Sequence, residues 1–230
     1  MIEKIKNWKN QKNNKALVLL SVLIGTVMVA CNSSENNNLT KVDLPIIGQH
    51  DIAYADMDGY KAGDTIFHTV PDWEYLTEDS LLLSSSDVEN KIWIADFFFS
   101  YCPTICVPMN QELDKITKQL EEHEEEIAFL SFTIDPKRDT PSELKEYREK
   151  FEFDAKNWHF LTGDQQETHD LAFYGFQILA NKDNAAPGGF IHSSNFVLVD
   201  QNRYIRGVYD GLTEEGREQL LNDVKLLLEK

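Results

Sequence analysis

Cys102 and Cys106 lie four residues apart in the stretch "FFFSYCPTICVPMNQEL" of a 230-residue chain whose only other cysteine is Cys31. Two thiols at this spacing can close a disulfide, cycle as a redox couple, or offer two thiolates to a soft metal. The run before them, "KIWIADFFF" (residues 91–99), is nearly continuous in β-branched and aromatic residues, as expected of a strand covered on both faces. After them Val107, Met109, Leu113, Ile116 and Leu120 recur at helical spacing. The pair is therefore expected at the carboxyl end of a central strand and at the start of a helix, with Pro103 just inside that start. A helix start is electropositive, so a thiol there should have a lowered pKa, and residues one turn apart share a face. Asp96 stands out as well: it is a carboxylate in the apolar strand, six positions before Cys102, and buried carboxylates are rare without a partner or a purpose.

The rest of the chain supplies elements to position this pair. "IAFLSFTI" (residues 127–134) reads as a second buried strand, and "DPKRDTPSELKEYREKF" follows it, with Thr140 as N-cap and Pro141 at the first helical position. "WHFLTG" reads as a third strand and "DQQETHDLAFYGF" as a third helix. "NFVLVD" and "RYIRGVYDG" pair as a hairpin around "QN", and Thr213 opens a final helix. "DTIFHTVPDWEYL" (residues 64–76) alternates apolar and polar residues around Pro71, which suits an edge hairpin. Strands alternating with helices make an α/β domain: a central sheet with helices on both faces.

An apolar content of 42% and an aromatic content of 11% are those of a globular protein. The net charge of -17 excludes nucleic acid as a partner, since a phosphate backbone needs a basic footprint; the acidity serves solubility. At the N-terminus, lysines 4, 6, 9, 12 and 15 precede an uncharged run from Ala16 to Ala30 that is too short for a comfortable membrane span. It ends in "VMVAC", which resembles a bacterial lipobox, although Met28 stands where leucine is usual. Residues 1–30 are thus expected to be a lipoprotein signal peptide, with Cys31 lipidated at the mature N-terminus. An uncleaved anchor helix would leave the domain in the same compartment. Residues 31–63, in which "NSSENNN" follows Cys31, are expected to be a tether and irregular lead-in, and residues 64–230 the folded domain. The expected location is the bacterial cell envelope, membrane-anchored, with the domain outside the cytoplasm, where one disulfide can form.

Three blocks, "DFFFSYCPTICVPM", "SFTIDPKRDTP" and "GGFIHSSNFVLVD", resemble the signatures of the Sco/SenC family, and the resemblance covers about residues 65–229. It implies a thioredoxin-like fold, membrane attachment, and one copper ion held by Cys102, Cys106 and His192. It also implies a thiol–disulfide state that competes with the metal. The implied function is assembly of the copper centre of a respiratory cytochrome oxidase. The implied partner is the oxidase's copper-bearing subunit or another copper or thiol protein. The chemistry of the residues agrees: two thiolates and an imidazole are a soft-leaning set, whereas structural zinc normally closes with four protein ligands. His192 follows the glycine-rich "PGGFIH", a flexible approach.

This sequence departs from the family in having Ile191, where an acidic residue often precedes the histidine, and Val107, where proline often follows the second cysteine. Thioredoxin resembles this stretch too, with a buried aspartate at the offset of Asp96 that assists proton transfer. Asp96 is accordingly either a proton relay to Cys106 or a structural hydrogen-bonding residue. His159 and His169 match no ligand position and are read as structural or surface residues, and His123, within the acidic "EEHEEE", is read as a surface residue. "DPKRDTP" is expected to be a loop whose charges pair locally. The rival function is a thiol–disulfide reductase with Cys102 as attacking thiol, so enzymatic activity is left open. A peroxiredoxin-like peroxidase would need neither His192 nor a second cysteine.

Overall fold

The computed structural model describes residues 43–183 and 185–229. The expected signal peptide, the lipidation site Cys31 and the first part of the tether lie outside the described residues. In chain order the elements are β1 (Asp51–Ile52), β2 (Thr65–Ile66), β3 (Glu74–Thr77), β4 (Leu82–Ser84), β5 (Ile92–Phe98) and α1 (Cys106–Gln119). Then come β6 (Ile127–Thr133), α2 (Pro141–Lys150), β7 (Trp158–Thr162), α3 (Gln165–Asp170), β8 (Ala180–Lys182) and β9 (Phe190–His192). The chain closes with β10 (Asn195–Val199), β11 (Ile205–Asp210) and α4 (Glu214–Leu228).

Seven strands form one mixed sheet in the order β11-β10-β5-β6-β7-β3-β4, while β1–β2 and β8–β9 are separate two-stranded ladders. β5, β6 and β7 lie side by side and parallel at the centre. Every residue of β5 and β6 is buried, which is why both lack the alternation of a half-exposed strand. Successive residues of β5 serve opposite faces. Phe97 stacks on Phe132, with ring centroids 5.2 Å apart, and meets Phe176 beyond α3. Phe98 meets Tyr147 of α2 and Phe160 of β7. Helical segments thus cover both faces, and the α/β arrangement is thioredoxin-like, as expected.

The caps are local and follow the sequence. Thr140 Oγ1 accepts from Glu143 N–H at 3.4 Å with Pro141 behind it, and Thr213 Oγ1 accepts from Gly216 N–H at 3.1 Å. No helix among the described residues is long and apolar enough to cross a membrane.

One expected element differs. β3 does not form an edge hairpin with the residues before Pro71; it lies between β7 and β4, and β4 is the edge strand. Part of the expected lead-in packs on the sheet, with Leu44 and Ala53 buried. The buried guanidinium of Arg206 draws the lead-in onto the sheet. It pairs with Asp200 at 2.6 Å and Asp43 at 2.7 Å and donates to the Pro45 carbonyl at 3.0 Å. A buried cation needs such a shell, so removing one partner would cost far more than an exposed pair.

Candidate metal centre

The carboxyl end of β5 delivers the chain into the cysteine loop, which turns on a hydrogen bond from Cys102 N–H to the Phe99 carbonyl at 3.2 Å. The helix α1 starts only at Cys106, with Ile105 as its N-cap. Cys102 and Pro103 therefore precede the helix, and the two cysteines do not share a helix face as expected. Pro108 is the proline of the first turn, where a missing N–H loses no bond. The sulfurs meet nonetheless: the two thiol groups hydrogen-bond to each other, and Phe99 N–H donates to the Cys106 sulfur. Cys102 is half-buried, with its Sγ 3.5 Å from Thr104 Oγ1, while Cys106 is fully buried; no disulfide joins them.

Burial reverses the expected acidity. Loss of solvent pushes the Cys106 thiol well up, the hydrogen bond with Cys102 adds to this, and the charges of Cys102 and Asp96 push further in the same direction. The Phe99 N–H opposes these effects without overcoming them. The field of a helix start lowers a thiol pKa only where the thiolate also keeps some solvation, and Cys106 keeps none.

Asp96 is fully buried on β5, where its Oδ1 accepts from Ser131 Oγ at 2.5 Å. Ser131 in turn accepts from Trp158 Nε1 at 2.9 Å. The carboxylate thus has the structural hydrogen bond of one reading and the electrical proximity to Cys106 of the other.

His192 is the last residue of β9, its backbone paired with Ala180 of β8. The glycine-rich approach is the tip of this β8–β9 hairpin and rests on the cysteine loop. At Gly188 (φ +78°) a Cβ would sit 2.7 Å from the Phe99 ring and 3.1 Å from Pro103 Cδ, so only glycine fits. The rings of Phe99 and Phe190 are 5.3 Å apart. Among the described residues no group of three His, Cys, Asp or Glu side chains forms a ready-made metal cluster. His123 pairs with Glu126 at 2.9 Å, His169 Nε2 lies 3.3 Å from the Ile134 carbonyl, and burial lowers the pKa of His159.

The loop "DPKRDTP" does more than pair its own charges. Asp135 and Arg138 do pair locally, but Asp139 is fully buried and reaches across to the cysteine loop. It accepts from Ser100 N–H at 3.0 Å, from the Ser100 hydroxyl and from the Thr133 hydroxyl. Burial raises its carboxyl pKa, and those three hydrogen bonds work the other way. A signal was present in the sequence: a carboxylate between a strand end and a helix cap lies at the same sheet edge as the end of the neighbouring parallel strand.

The known proteins similar to this chain share this arrangement's fold. The SCO1 protein homolog of Bacillus subtilis is 29% identical over 73% of this chain and 86% of its own. The crystal structure of a SCO1/SenC family lipoprotein from Bacillus anthracis superposes with a TM-score of 0.65 at 31% identity, covering 70% of this chain and 95% of that one. BsSco, described as a member of the Sco family of cytochrome c oxidase assembly proteins with a disulfide switch, gives a TM-score of 0.62 at 28% identity, covering 70% and 93%. The SCO1/SenC family model matches residues 62–229, which take in the cysteine loop, the Asp139 loop and the hairpin ending at His192, and by that match the chain belongs to the SCO1/SenC family.

Proposed function

We propose that the protein binds one copper ion through Cys102, Cys106 and His192 and serves assembly of the copper centre of a respiratory cytochrome oxidase. The observation that carries this reading is the mutual contact of two sulfurs, one buried and one half-buried, in a loop against which the His192 hairpin packs. The buried Cys106 thiol resists ionisation, so a soft cation that takes the place of its proton relieves the charge that burial penalises, and the half-buried Cys102 supplies the second sulfur. That donor set fits copper. Three ligands leave the shell open, which suits an ion that is handed on, and the receiver is the oxidase's copper-bearing subunit or another copper or thiol protein. BsSco, with its role among oxidase assembly proteins, supports this assignment. A lipid on Cys31 would hold the domain at the membrane outside the cytoplasm, in keeping with the Bacillus anthracis lipoprotein.

A second reading, a thiol–disulfide reductase, draws on the asymmetry of the pair. Cys102 is the accessible thiol and Cys106 the buried one, the arrangement of an attacking and a resolving cysteine. Copper titration of the reduced protein beside a disulfide-exchange assay separates the two. His192→Ala should weaken copper binding strongly and alter the Cu–thiolate absorption, while Cys102 and Cys106 still oxidise and reduce. Serine at either cysteine should abolish both behaviours. If His192→Ala binds copper like the wild type and supports full oxidase assembly, the chaperone reading fails and the reductase reading takes its place.

A further inference from the structure

Three separate segments meet beside the cysteines: the loop after β5, the loop between β6 and α2, and the tip of the β8–β9 hairpin. One side chain touches all three. Arg138 Nε donates to the Asp135 carboxylate within its own loop. Its Nη2 donates across to the Gly188 carbonyl at the hairpin tip, at 3.1 Å. Its guanidinium lies 5.4 Å from the centroid of the Tyr101 ring and 6.0 Å from that of Phe99, the residues on either side of Ser100 in the cysteine loop. We propose that Arg138 is a positioning residue, a latch that holds the β8–β9 hairpin, and with it the backbone of His192, at a set distance from the cysteine loop. The inference rests on the reading of Cys102, Cys106 and His192 as one metal site.

The chemistry of the guanidinium explains why this residue type is present. Only a planar fork can donate along one edge to a carboxylate, along another to a carbonyl, and still offer its face to aromatic rings. Lysine could replace the charge beside Asp135 but not the second arm. The hairpin needs the latch because its ladder is short, three residue pairs between β8 and β9 that join no strand of the main sheet. Apolar contact of Gly188 and Phe190 with Phe99 and Pro103 also holds it to the cysteine loop. The anchor side is firm: Asp135 is nearly buried, and its N–H is fixed to Thr133 Oγ1 at 3.1 Å. Arg138 itself is 44% exposed, so its replacement leaves the core intact.

The test measures amide hydrogen exchange in the reduced, metal-free full-length chain, comparing wild type with Arg138→Ala and Arg138→Lys. Loss of a charge-assisted hydrogen bond and its ring contacts should speed exchange of the β8–β9 amides about tenfold in both variants, with the β10–β11 amides unchanged. Copper release from the loaded variants should quicken by a similar factor, with a shifted Cu–thiolate absorption. Wild-type exchange in the hairpin of either variant would overturn the latch, and so would wild-type behaviour restored by lysine, since that would leave only a charge-balancing role. Equal acceleration at β10–β11 would also overturn it, by showing general destabilisation. If the wild type itself binds no copper, the metal reading fails alone, while hairpin exchange still upholds or overturns the latch.

Discussion

Replacing Asp139 by alanine should both destabilise the protein and loosen the cysteine loop. The carboxylate takes three hydrogen bonds, from Ser100 N–H, the Ser100 hydroxyl and the Thr133 hydroxyl. Thr133 is fully buried and Ser100 partly so, and alanine leaves their donors without this acceptor. At about 1 kcal/mol for each lost bond the total is roughly 3 kcal/mol. Relief of the burial that raises the Asp139 pKa offsets part of this at neutral pH. In a domain of this size about 3 kcal/mol sets an upper bound on the fall in Tm of roughly 6–12 °C.

The pH dependence has a definite sign. Because the folded carboxyl pKa is raised above 3.8, the native state binds this proton more tightly than the unfolded chain does. The group's contribution is full below the unfolded value and is lost as pH rises through the folded value. The stability gap between wild type and Asp139→Asn, which cannot ionise, should therefore be wider under mildly acidic conditions than at neutral pH. Urea unfolding of the reduced protein, followed by tryptophan fluorescence, reads the stability, and the alkylation rate of Cys102 reads the loop. An Asp139→Ala protein within about 0.5 kcal/mol of wild type, with unchanged alkylation, would refute the claim that this carboxylate holds the cysteine loop.

Asp96→Asn should slow disulfide exchange at neutral pH and move its pH profile with little change in copper affinity; unchanged kinetics would leave Asp96 only its hydrogen bond with Ser131. Burial lowers the His159 pKa below 6.5, so its native state resists a proton that the unfolded chain accepts, and stability present above that value is lost as pH falls below it. His159→Gln should accordingly flatten the acid limb of a stability–pH curve, and an unaltered limb would assign that limb to other groups. Cys31→Ala should abolish acyl labelling and leave the domain folded, as read by labelled lipid incorporation and circular dichroism; continued labelling would sink the lipoprotein assignment.

The features legible in the sequence were those encoded locally. The continuous apolar runs of residues 91–99 and 127–134 announced two central strands, because full burial on both faces leaves no polar alternation. Thr140 with Pro141, and Thr213, announced helix starts, because a cap is made within four residues. The cysteine pair was legible for the same reason, as was its place at the end of a central strand.

The tertiary structure decided what depends on segments far apart in the chain. It set the start of α1 at Cys106, leaving Cys102 on the preceding loop, and it buried the second thiol so completely that desolvation outweighs the helix field. It brought Asp139 to Ser100, thirty-nine residues away, and Arg138 to Gly188, fifty residues away. It also made a hairpin of the glycine-rich stretch before His192 and drew the lead-in from Asp43 onto the sheet through Arg206. Periodicity records which residues are buried, but solvation energy and long-range hydrogen bonds depend on which buried groups face each other, and the folded chain fixes that.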